Sequence, residues 1–193
     1  MPKGIPTFYN GVQFRSRLEA KWAAMFDLLK WPWEYEPFDL DGWIPDFALI
    51  GCSQDVTGYT SEGAPIIKSE LKSVLVEVKP VDKFPADIGA EIANTLGENP
   101  SYEALICGFT PVIGHAYDSP CIGWLYDGEF DLAPWGRWEY AATLGFCHKN
   151  NSFHDRISGL HDGGRYGRGG FDASLIADLW AKAGNITQWK APK

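Results

Sequence analysis

The stretch LKSVLVEVKP, Leu71–Pro80, and its shorter predecessor WIPDFALI, Trp43–Ile50, decide how the rest of this chain is read. Val74, Leu75 and Val76 form an apolar run that predicts a buried strand, after which Glu77, Val78 and Lys79 alternate until Pro80 stops the ladder. Side chains switch faces at every strand residue, so Glu77 and Lys79 project from one face while Val76 and Val78 hold the other in the core. Asp46 follows Pro45 at the start of a second apolar strand. Three charged groups are thereby placed at the ends of buried strands, where an unpaired charge is costly unless it meets a partner or a metal ion.

Around these strands the chain reads as one α/β unit. The run Gln13–Lys30 carries Phe14, Leu18, Trp22, Met25, Phe26 and Leu29 at helical spacing, and Trp31-Pro32 ends it. Glu19 falls on the shoulder of that buried stripe, where it either points along the edge of a sheet or pairs with Arg15 one turn back. WEYEPF, Trp33–Phe38, predicts a strand, and Asp41-Gly42 a tight turn into the Asp46 strand. Residues 51–70 are polar and read as a surface excursion. Phe84, Ile88, Ile92 and Leu96 mark a crossover helix, and ALICGF, Ala104–Phe109, the strand that completes a βαβ unit. Cys121–Leu132 predicts a hairpin turning at Asp127-Gly128. Ser158–Gly170 is a glycine-rich loop, and Asp172 caps a last helix that Gly184 stops. The expected organisation is a core over residues 1–140, with a mixed central sheet flanked by helices, and a glycine-rich, basic extension over 141–193 that ends in a helix packed on the core.

Composition sets the boundaries of function. A length of 193 residues, 45% of them hydrophobic, with nine tryptophans, suits one packed domain. The cysteines Cys52, Cys107, Cys121 and Cys147 form no CxxC pair, which argues for a reducing compartment, and no apolar run reaches membrane-spanning length. A soluble, cytoplasmic protein with no membrane partner is expected. The net charge of −8 is unevenly spread: residues 1–140 hold 10 basic and 21 acidic side chains, residues 141–193 hold 7 and 4. Phosphate contacts therefore fall to local clusters of cations, for which Arg15, Arg17 and Lys21 on the first helix and Arg165 and Arg168 in the glycine loop are the candidates.

Hydrolysis of a phosphodiester needs an activated water, charge uptake on the phosphate and stabilisation of the departing oxygen, and hard cations held by carboxylates serve all three. Asp46 and Glu77 offer such a grip, with the carbonyl of Val78 as a further hard ligand and Glu19 completing the cage or holding a second ion. Lys79, protonated among carboxylates, would act electrostatically. The succession QFRSRLEAKWA, WEYEPF, IPDF, VEVKP resembles the PD-(D/E)XK, or restriction-endonuclease-like, nuclease superfamily over residues 8–110, and within it the compact phage and mobile-element members, including nuclease subunits of transposases. The resemblance implies a metal-dependent DNA endonuclease with magnesium or manganese as cofactor, Glu19, Asp46, Glu77 and Lys79 as its active site, and 5′-phosphate and 3′-hydroxyl products. No glutamine–tyrosine signature follows Lys79, which points away from the exonuclease-like branch. Two alternatives stand beside this reading. One is a junction-resolving or transposon-end nuclease that works as a homodimer or with a partner protein; the other is a nuclease-fold protein that binds DNA or a partner without cutting it. Cys147, His148, His154 and His161 raise a structural Zn2+, but their spacing matches no standard zinc finger and favours loop histidines and a core cysteine.

Overall fold

The computed structural model of the chain describes residues 4–40, 42–53, 56–62, 65–67, 72–97, 102–113, 120–126, 138–140 and 173–188. The chain opens with strands β1 (Thr7–Tyr9) and β2 (Val12–Phe14), followed by helix α1 (Arg17–Leu29). Strands β3 (Trp33–Tyr35), β4 (Phe47–Ser53), β5 (Val56–Tyr59), β6 (Pro65–Ile67) and β7 (Lys72–Val78) lead to helix α2 (Ala86–Leu96). Strands β8 (Tyr102–Ile113), β9 (Pro120–Tyr126) and β10 (Trp138–Tyr140) precede helix α3 (Ala173–Ile186). The architecture is mixed α/β.

The central sheet has the order β10-β9-β8-β7-β4-β3. Its one parallel pairing joins β7 to β8, and α2 is the crossover between them, as the spacing of Ile88, Ile92 and Leu96 predicts. The other pairings in this sheet are antiparallel. Strand alternation divides the apolar side chains into two layers. Phe47, Leu49, Val74, Val76, Val78, Leu105 and Cys107 pack with α1 and α3, while Ala48, Leu75, Ala104, Ile106 and Trp124 pack with α2. The sheet is thus the middle of a helix–sheet–helix sandwich, and each fully buried Leu, Ile or Phe contributes about 1.5–3 kcal/mol.

Helix α1 is the pillar of the first layer. Trp22 is fully buried, its indole N–H donates to the Gly108 carbonyl at 2.9 Å, and its ring meets Trp180 of α3 with centroids 4.6 Å apart. Ile176, Trp180 and Ala183 of α3 belong to the same cluster, so the C-terminal helix completes the core built by the first 140 residues. The helix closes on a Schellman turn: Trp31 N–H bonds the Phe26 carbonyl at 2.9 Å and Lys30 N–H the Asp27 carbonyl at 3.1 Å, with Lys30 in the left-handed region at φ 64°. Among the described residues no helix is long and apolar enough to cross a membrane.

Four expectations change. The apolar stripe that begins at Phe14 is helical only from Arg17, because Asn10 and Gly11 (φ 47° and 83°) turn residues 7–14 into a hairpin and Ser16 caps the helix afresh. Phe14 keeps its buried position because the hairpin feeds the helix on the same side. The excursion over residues 51–70 is more regular than its polarity suggests, since β4 runs to Ser53 and β5 pairs with β6. The partner of β9 in the second hairpin is Trp138–Tyr140, beyond the expected limit at Leu132; the Asp127-Gly128 turn lies outside the described residues, as does Asp172. Gly184 does not stop the last helix, which continues to Ile186.

One close approach sets a limit on the sheet. A methyl group built on Gly123 of β9 would run into the carbonyl of Ile106 on β8, so glycine is the residue this backbone contact admits. Gly123→Ala is expected to lower stability by about 2–3 kcal/mol in urea denaturation, since main chain rather than a flexible side chain must move; an unchanged midpoint would show that the strands separate freely.

Candidate active site

The two motif strands run antiparallel, with Phe47 opposite Val76, so Asp46 and Glu77 are the next residues along that register. Val74, Val76 and Val78 face α1 and Leu75 faces α2, which puts Glu77 and Lys79 on the α2 side at the strand end, as alternation predicts. Asp46 is 4% exposed. Its Oδ2 accepts the Val78 N–H at 2.7 Å, and its Oδ1 accepts Arg15 Nη2 at 2.7 Å. Arg15 also bridges to Glu36, with Nε to Oε1 at 2.9 Å, and Glu36 donates its own N–H to the Asp46 carbonyl at 3.0 Å from a left-handed backbone conformation (φ 45°).

Glu77 is buried and doubly held. Lys79 Nζ lies 2.5 Å from Oε1, and the Trp43 indole N–H donates to Oε2 at 2.9 Å. Trp43 is placed by a tight turn in which Leu40 and Trp43 exchange both backbone hydrogen bonds, with Gly42 at φ 101°. This contact of the tryptophan was not foreseen from the sequence; the only local signal is its position one residue after the turn glycine and three before Asp46.

Glu19 enters from α1 in a role the sequence does signal. Ser16-Arg17-Leu18-Glu19 is a capping-box pattern, and the Ser16 hydroxyl accepts the Glu19 N–H at 3.1 Å. The carboxylate reaches back one residue further than the usual box: Oε2 accepts Arg15 N–H at 3.2 Å and the Tyr35 hydroxyl at 2.6 Å. Burial, then the bond to Glu19, pushes the Tyr35 phenol up to about 12, so it remains a donor. Glu19 is therefore a helix cap, and it is also near enough to Asp46 to repel it.

The electrostatics report the convergence. The Asp46 carboxyl is pushed up to about 7, chiefly by burial and next by the charge of Glu77, with Glu19 adding and the Val78 N–H and Lys79 opposing. Lys79 is raised as well, for the opposite reason: burial alone would lower it, but its bond to Glu77 and the charges of Glu77 and Asp46 raise it above the ordinary lysine value. A crowd of hard oxygen donors whose mutual repulsion favours protonation is chemically suited to a divalent cation. Among the described residues no three His, Cys, Asp or Glu side chains are grouped closely enough to hold an ion by themselves. An ion here would rest on Asp46 and Glu77, with main-chain carbonyls and water supplying the rest.

The remaining candidates are dispersed. Val78 gives its N–H to Asp46 and its side chain to the core. Arg17 is exposed in the first turn of α1. Lys21 lies with Nζ 3.8 Å from the centroid of the Trp180 ring, a cation–π contact between α1 and α3. Arg165, Arg168 and the group Cys147, His148, His154 and His161 lie outside the described residues. No family model, no curated protein and no solved structure matches the chain.

The Asp46 carboxyl titrates higher in the folded chain than in the unfolded one, so the folded state holds the extra proton. The cost of ionising it is absent below about pH 4, grows up to about pH 7 and is complete above, on the order of a few kcal/mol. Asp46→Asn is expected to flatten the fall in stability between these limits; parallel profiles for variant and wild type, followed by thermal melts without divalent metal, would contradict this placement.

Proposed function

We propose that the chain is a metal-dependent DNA endonuclease of the PD-(D/E)XK kind. The supporting observation is the meeting of Asp46, Glu77 and Lys79 at the ends of two adjacent strands, with Glu19 close enough to raise the Asp46 carboxyl. Asp46 and Glu77 would hold a magnesium or manganese ion, which when bound supplies Lewis-acid polarisation of phosphate and water. Lys79 stays protonated beside Glu77, so it cannot serve as a general base. Its side chain is 35% exposed, and its ammonium would contribute positive charge toward a phosphate on which negative charge develops. Trp43 keeps Glu77 from rotating, and the Val78 N–H does the same for Asp46. The sheet thereby holds both carboxylates in a fixed geometry, which conserves the ordering entropy of the reaction. The 5′-phosphate and 3′-hydroxyl products belong to the same reading.

A second reading, a DNA- or partner-binding protein that does not cut, draws on a specific feature: both oxygens of Asp46 and both oxygens of Glu77 already accept a protein donor. Nicking of supercoiled plasmid in magnesium or manganese against EDTA separates the two. The expected outcome is cleavage that EDTA stops and that Asp46→Ala or Lys79→Ala reduces by at least about a hundredfold, with circular dichroism unchanged. Full activity in Asp46→Ala, or no cutting of single-stranded, duplex or branched DNA under any divalent metal, would remove the endonuclease reading.

Because metal must displace the proton on Asp46, cleavage should fall as pH drops through about 7. A rate that is flat from pH 5.5 to 8 at subsaturating manganese would show that Asp46 is not the group being titrated.

A further inference from the structure

Four donors occupy the oxygens of the two central carboxylates, and they differ in how easily they can leave. The Val78 N–H is main chain at the end of a sheet strand, and the Trp43 indole is buried. Lys79 is 35% exposed and follows Glu77 by two residues on the same strand face. Arg15 stands apart: its side chain is 59% exposed, yet it forks between Asp46, which is nearly inaccessible, and Glu36, which is 36% exposed. Its main chain is pinned, with the N–H shared between Glu19 Oε2 and the Tyr35 hydroxyl at 3.2 Å each. A guanidinium so placed can let go of Asp46 and keep Glu36 without losing water or moving its backbone, whereas the other three donors cannot leave as cheaply.

We propose that Arg15 is an exchangeable counter-ion: its guanidinium neutralises Asp46 in the metal-free chain, yields that carboxylate to a divalent cation, and is released on the Glu36 side to face a phosphate. This inference rests on the endonuclease reading and adds a positioning residue that couples metal loading to substrate binding. Losing Arg15 should therefore have opposite effects on two ligands. Competition for Asp46 Oδ1 disappears, so metal binds more tightly; the released cation disappears too, so DNA binds more weakly. A merely structural arginine would loosen both.

The test uses the full chain as wild type, Arg15→Gln, Arg15→Lys and Asp46→Ala. Free Mn2+ is titrated by electron paramagnetic resonance, and binding to duplex DNA is measured in Ca2+. Removing one charge-assisted competitor predicts Mn2+ binding about tenfold tighter in Arg15→Gln, with Arg15→Lys in between because lysine cannot form the fork, and DNA binding weakened in Arg15→Gln with a shallower salt dependence. Mn2+ affinity in Arg15→Gln equal to or below that of wild type overturns the counter-ion role while leaving the site intact, provided Asp46→Ala loses the ion. Should Arg15→Gln fail to fold, Arg15→Lys decides by the same comparison. Mn2+ binding that is absent in wild type, or indifferent to Asp46→Ala, removes the metal site itself and this inference with it.

Discussion

The carboxylate of Asp46 is the joint on which this molecule's site depends. One oxygen takes the N–H of Val78 from the neighbouring strand, the other takes the guanidinium of Arg15 from just ahead of α1, and the residue's carbonyl takes the N–H of Glu36. One buried residue thereby ties β7, the β2–α1 connection and the end of β3 to β4. A carboxylate taken out of water must recover its hydration through such bonds, and with fewer of them it would hold its proton to still higher pH or turn outward.

A second consequence is that the two central acids are paired with cations of the chain itself. Two cations, Arg15 and Lys79, sit on the two acids that a divalent ion would need. The net charge of −8 is therefore not the local charge of the strand ends, where Asp46 and Glu77 are each matched by a cation. On the proposed function, proton, arginine and metal would compete for Asp46.

The orienting groups around the charged ones are aromatic. Trp43 and Tyr35 each give one hydrogen bond to an acid while their rings join the apolar layers, Trp43 on the α2 side and Tyr35 against Phe14 and Phe47 on the α1 side. A ring with a polar tip suits this position, since it excludes water along its body and still satisfies a carboxylate at its end. Part of the tryptophan content of the chain is thus structural support for the acids.

Alternation along Val74–Lys79, the crossover spacing of α2 and the apolar run at Ala104 were readable directly, because side-chain direction in a strand or helix repeats over a few residues and needs no distant partner. The β1–β2 hairpin was hidden, since Phe14 falls at helical spacing from Leu18 whether it is in a helix or a strand. The β5–β6 pair was hidden by polarity, although its hydrogen bonds are made by backbone. Asp46, Glu77 and Lys79 could be placed at strand ends from sequence alone. That Arg15, from a position 31 residues earlier, takes Asp46 Oδ1, or that Trp43 takes Glu77 Oε2, is a relation between atoms far apart in the chain, and only the packed sheet and helix bring those atoms within hydrogen-bond distance.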